Sequence, residues 1–230
     1  MSVHGAHITS AHRRGDELAV DPSSFQSKRV VVDEIALGFI LIAVILNVQA
    51  GTYYHEIPEL INVIDIVTAL LLGSIVMVTF MFVLGQVDLQ WDWFLSRRDL
   101  GYTLMASVAG FIIALALWQF VIAPATSSVF DLVKDLSVYN QRIFFAKVAI
   151  AEELLFMCVV FPYLAPRLKW GAYPFTCVAF AVLHFAVYGT QPSALWAVAM
   201  YRAVFLAQWR LSGNRLSIPM LTHIIINLSA

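Results

Sequence analysis

The chain has 230 residues, 60% of them hydrophobic and 13% charged, with a formal net charge of −1. Soluble domains are nearer half apolar and a quarter charged, so this composition describes an integral membrane protein. The near-zero charge and the lack of a basic stripe exclude nucleic acid as a partner.

Residues 1–30 are polar and carry His4, His7, His12, Arg13, Arg14, Lys28 and Arg29. No apolar run precedes the arginines, so the segment is expected to be a mobile cytoplasmic tail and not a signal peptide. The remainder, 31–230, reads as one transmembrane domain. Apolar segments follow at roughly 31–50, 58–85, 101–124, 141–163, 171–189, 194–211 and 216–229. A spanning helix needs about 20 such residues, and lipid leaves no partner for unpaired backbone groups. The expected fold is therefore all-α, a polytopic transmembrane bundle of about seven helices.

Lysine and arginine set the orientation. Of 14 such residues, Arg13, Arg14, Lys28, Arg29, Arg97, Arg98, Arg167, Lys169, Arg210 and Arg215 share one side if the N-terminus is cytoplasmic. Only Lys134 and Arg142 fall on the other, while Lys147 and Arg202 lie inside segments. A multi-pass protein of the cell membrane with its N-terminus inside is expected. The outer connection at 125–140 repeats Val129, Leu132, Val133 and Leu136 at helical spacing, which predicts a short surface helix. Gly73 and Gly110 are expected to allow close helix packing, and Trp91, Trp93, Trp170 and Trp209 to sit at the membrane interface. Cys158 and Cys177 read as small core residues.

The chemistry concentrates in the last 80 residues. Glu152 and Glu153 lie inside one apolar segment, His184 in a second, and His223 with Asn227 in the last. Ionisable groups in hydrocarbon are costly, usually face an internal cavity and mark functional sites. Adjacent helical residues point about 100° apart, so the two glutamates cannot address one spot. One can serve a reaction while the other needs a structural partner. The spacing of four places His223 and Asn227 on one face. A carboxylate in such a cavity can act as general base, an imidazole can orient water or hold a metal, and an amide can support an oxyanion. The plainer alternative is a buried carboxylate kept protonated, or paired with Arg202. Two histidines could also ligate haem. There is no His-Glu-x-x-His, no Gly-x-Gly-Asp pair and no Gly-x-Ser nucleophile matched to a later histidine.

Glu152-Glu153-Leu-Leu-Phe, Phe180-x-x-x-His184 and His223-x-x-x-Asn227 resemble the three motifs of the CPBP family, the CAAX proteases and bacteriocin-processing (Abi) proteins. The likeness covers about 141–230. It implies an intramembrane endopeptidase in which Glu152 activates water, His184 and His223 hold that water or a divalent metal such as zinc, and Asn227 supports the oxyanion. A membrane peptide or prenylated peptide would be the substrate. The sequence departs from the family at Met157 and Cys158, where Glu-Glu-x-x-x-Arg is commonly followed by glycine. The family arginine suits an ion pair with Glu153 one turn earlier. Without it, Glu153 must be neutral or re-paired, and Arg202 is the candidate. The same departure leaves a second reading open: a proteolytically weak or inactive protein serving as scaffold or subunit of a membrane complex.

Overall fold

The computed structural model describes residues 30–50, 58–90, 97–122, 124, 136–189 and 191–229. The polar tail at 1–29, Trp91, Trp93 and the connection at 125–135 lie outside them. The described chain is mostly helical.

Val30–Asp33 (β1) opens it and pairs in parallel with Val87–Gln90 (β2), Val30 opposite Val87 and Asp33 opposite Gln90. Three consecutive valines favour an extended backbone. This pair is the departure from an all-α fold. Asp33 then starts the first helix, α1 (Glu34–Ala50), its Oδ1 accepting from the Ala36 N–H at 2.9 Å. That bond satisfies one of the donors every helix start leaves over. Asp33 Oδ2 accepts from both the backbone N–H and the hydroxyl of Ser217, so one carboxylate caps two helices.

Next come α2 (Pro58–Val83) and α3 (Arg97–Leu117), the latter ending in a π turn at Trp118–Ile122. Among the described residues, Ile66–Val83 and Gly101–Ile122 are long and apolar enough to cross a membrane. Their outward faces carry large apolar side chains such as Val76, Phe80, Ile112 and Phe120, all more than half exposed. Lipid, not water, is the solvent that fits such a surface.

The glutamates ride on α4 (Val138–Glu153), which passes through a π-helical stretch, Leu154–Val160, into α5 (Phe161–Leu168). Ser137 caps α4 through its hydroxyl, so the helix begins inside what reads as loop. The apolar segment at 171–189 is not one helix. It breaks at His184 into α6 (Ala172–Leu183) and a single turn, α7 (Phe185–Tyr188). Then α8 (Pro192–Leu211) returns beside α6, and α9 (Ser217–Leu228) closes the bundle.

Two buried clusters form the core. One gathers Ala36, Leu71, Ile150, Met157, Trp209 and Met220; the other gathers Trp118, Phe156, Phe180, Tyr201, Phe205 and Ile226. Because lipid tails are as apolar as leucine, close packing and polar contacts hold such helices together. Small residues accordingly occupy contacts, with Ala114, Ala149, Ala151 and Ala194 fully buried. A Cβ at Gly110 would come within 2.5 Å of the Gln208 side chain, so this glycine does permit a close approach. Gly73 does not: nothing lies within 4 Å of its virtual Cβ. Trp209 lies in the last turn of α8. It is buried against Phe161, ring centroids 5.3 Å apart, because its position continues the inward face of Phe205. Trp170 is half exposed at a helix end. Cys158 and Cys177 are free thiols.

Candidate active site

Glu152 and Glu153 emerge from the last turn of α4 and flank the same imidazole. Glu153 Oε1 lies 3.0 Å from His223 Nδ1, and Glu152 Oε2 lies 3.6 Å from His223 Nε2. The angular offset between neighbours on a helix thus places one carboxylate at each ring nitrogen.

Glu153 is fully buried and its Oε1 also accepts from Arg202 Nη1 at 2.8 Å. The guanidinium, fully buried too, lies over the edge-to-face pair of Phe156 and Phe180, 5.1 and 5.2 Å from the two ring centroids. Arginine stays charged and attracts a carboxylate, so Glu153 is an acceptor and His223 Nδ1 carries the proton between them. Arg202 on α8 therefore supplies the cation that position 157 lacks, while Met157 is itself fully buried in the first cluster.

His184 closes the other side. Its Nδ1 lies 2.8 Å from the Phe180 carbonyl, which can only accept, so Nδ1 donates. Nε2 stands 3.5 Å from Glu152 Oε1. The helix break at His184 turns this ring inward, and the ring bond to Phe180 fixes it there. Both histidines thus have Nδ1 tied to a fixed acceptor and Nε2 aimed at Glu152. Phe180 and Tyr188 pack on the His184 ring, and Tyr201 and Phe205 on that of His223, with centroids 4.5 to 5.9 Å apart. These aromatics shield the carboxylate from lipid and bulk water.

Separations of 3.5 and 3.6 Å are longer than good hydrogen bonds and suit a small group bridging carboxylate and imidazoles. Two imidazoles with anchored second nitrogens are a familiar metal-binding arrangement. Among the described residues, however, no group of three or more His, Cys, Asp or Glu is set to hold a metal ion.

Asn227, one turn after His223 on α9, donates from Nδ2 to the Phe145 carbonyl at 3.4 Å. This ties α9 to α4 two turns before Glu152. The second Nδ2 hydrogen and Oδ1 are left for other partners. Glu152, Glu153, His184, Arg202 and His223 therefore meet in one cluster, with Asn227 at its edge.

Three features of the site are not announced by the sequence pattern: the π stretch after Glu153, the break at His184, and Tyr201. π turns often mark functional positions in helices. The Tyr201 hydroxyl is buried without a hydrogen-bond partner among the described residues, beside His223.

Residues 136–229 match the family model for type II CAAX prenyl endopeptidases, Rce1-like. The match spans α4 to α9, contains every residue of the cluster and agrees with the likeness to the CPBP family. Neither a curated protein nor a solved structure matches the chain.

Proposed function

From the premise that residues 136–229 are an Rce1-like domain of the CAAX prenyl endopeptidase type, we propose that the protein is an intramembrane endopeptidase. It lies in the bilayer as a multi-pass bundle of about seven helices, N-terminus cytoplasmic, and cleaves a membrane or prenylated peptide. The observation that carries the reading is Glu152, whose two oxygens stand 3.5 and 3.6 Å from Nε2 of His184 and of His223.

A water held between these groups gives a proton to Glu152 as its oxygen attacks the peptide carbonyl carbon. The carbonyl π electrons move to oxygen, and the free Asn227 amide hydrogen meets that oxyanion. Collapse breaks the C–N bond, and Glu152 returns its proton to the departing amine. Positioned general bases contribute about 10²–10⁴-fold. Glu153, held by Arg202, keeps His223 in the tautomer this needs.

Peptide cleavage by purified protein tests the proposal, with prenylated and unprenylated membrane peptides and with Glu152→Gln and His223→Ala alongside. Both variants should lose cleavage by about 10²-fold or more while staying folded. Metal content on the same samples tests the divalent ion expected on His184 and His223. The departure from the family motif at Met157 is what the second reading rests on, a scaffold or subunit without proteolysis. Intact peptides with all proteins folded would establish it.

A further inference from the structure

A groove of about 610 Å³ runs between α6 and α8. Its lining includes Tyr173, Cys177 and Trp196, together with Ala199 and Ala203, one turn apart on α8. The hairpin is antiparallel, so the start of α6 and the end of α8 meet at one mouth. There stands Arg210, the single charged lining residue among those described, its Nη1 3.5 Å from Asn214 Oδ1. The slot is thus apolar along its length and cationic at one end. Volumes of roughly 300–1,000 Å³ are usual for sites that enclose a small ligand.

We propose that this groove binds one anionic phospholipid, its acyl chain over Ala199 and Ala203 and its phosphate at Arg210. Charge complementarity selects the ligand. A neutral lipid would bring no negative charge to the guanidinium, and a free phosphate would leave the slot without an occupant. Basic pockets between helices on the cytoplasmic side suit anionic head groups, and the Arg210 end is cytoplasmic in the orientation given above. The groove uses Ala199 and Ala203, whereas Tyr201, Arg202 and Phe205 turn toward Glu153 and His223. This inference rests on the bilayer placement but not on proteolysis.

Native mass spectrometry of the detergent-purified full chain, with phosphatidylglycerol and phosphatidylcholine at equal concentration, provides the test. One phosphatidylglycerol should be retained, about fivefold more tightly than phosphatidylcholine, the worth of one basic residue near a membrane surface. Arg210→Gln should erase the preference and Arg210→Lys should keep it. Ala203→Trp should fill the slot and abolish retention of either lipid. Equal retention of both lipids by the unaltered protein would overturn the proposal. So would displacement of phosphatidylglycerol by a prenylated peptide with Arg210→Gln unchanged, which would assign the slot to substrate. Protein recovered in soluble form without detergent would overturn the bilayer placement itself. Loss of cleavage with lipid retention intact would bear on the proteolytic reading alone.

Discussion

Replacing Arg202 by methionine removes the guanidinium that donates to Glu153 at 2.8 Å and leaves the carboxylate fully buried. Breaking a buried pair by deleting one partner costs about 3–5 kcal/mol, because the remaining charge has lost its counter-ion. The packing of the guanidinium on Phe156 and Phe180 is lost as well, though methionine refills part of it. For a chain of this size that corresponds to a fall in Tm of about 10 °C. Activity should fall about 10–100-fold more than the folded fraction explains, because Glu153 fixes the proton on His223 Nδ1. The assay is thermal unfolding in detergent beside peptide cleavage at a temperature where both proteins are folded. A double variant, Arg202→Met with Met157→Arg, returns the cation to the glutamate's own helix one turn on. It should recover at least half of the lost Tm. An Arg202→Met protein within about 1 kcal/mol of the parent, with unchanged cleavage, would refute an ionised pair that positions His223.

Contacts away from that pair give three further outcomes. Asp33→Ala should cost about 1–2 kcal/mol in chemical unfolding, since the starts of α1 and α9 lose their shared cap. Gly110→Ala should cost about 1–3 kcal/mol, because its Cβ meets Gln208, whose Nε2 donates to Thr222 at 2.9 Å; Gly110→Ala with Gln208→Ala should relieve the clash. Tyr201→Phe removes a hydroxyl that has no partner among the described residues and should leave Tm unchanged or slightly raised. A large loss of cleavage by that stable variant would show that the hydroxyl meets the substrate.

Much of the site is legible in the sequence because charged residues in apolar runs stand out: Glu152, Glu153, His184, Arg202 and His223 are all visible without a fold. The need of Glu153 for a cation also points to Arg202, which is where the structure places it. Less can be read where the signal is one of backbone geometry. The π stretch at Leu154–Val160 changes a hydrogen-bond offset without changing composition. The bend at His184 comes without proline or glycine beside it, from a side-chain bond to Phe180. The valines of β1 merge into the apolar run of α1, and their partner strand is 57 residues away, so no local pattern announces the pair. Asp33 is different. An aspartate just before an apolar helix is a recognisable start signal, yet nothing local shows that it also caps a second helix.

The double cap at Asp33 has a consequence for biogenesis. Asp33 and Ser217 are 184 residues apart, and Glu153 and His223 are 70 apart. Closing such long loops is slow relative to forming the helices themselves. α9 brings His223 to the glutamates, yet its own start is held by a residue from the beginning of the bundle. While the chain is being made, Glu152 therefore has no imidazole from α9 opposite it. The pairing of Glu152 and Glu153 with His223 comes into being only when the last helix docks, so a chain that stops before α9 lacks the complete cluster.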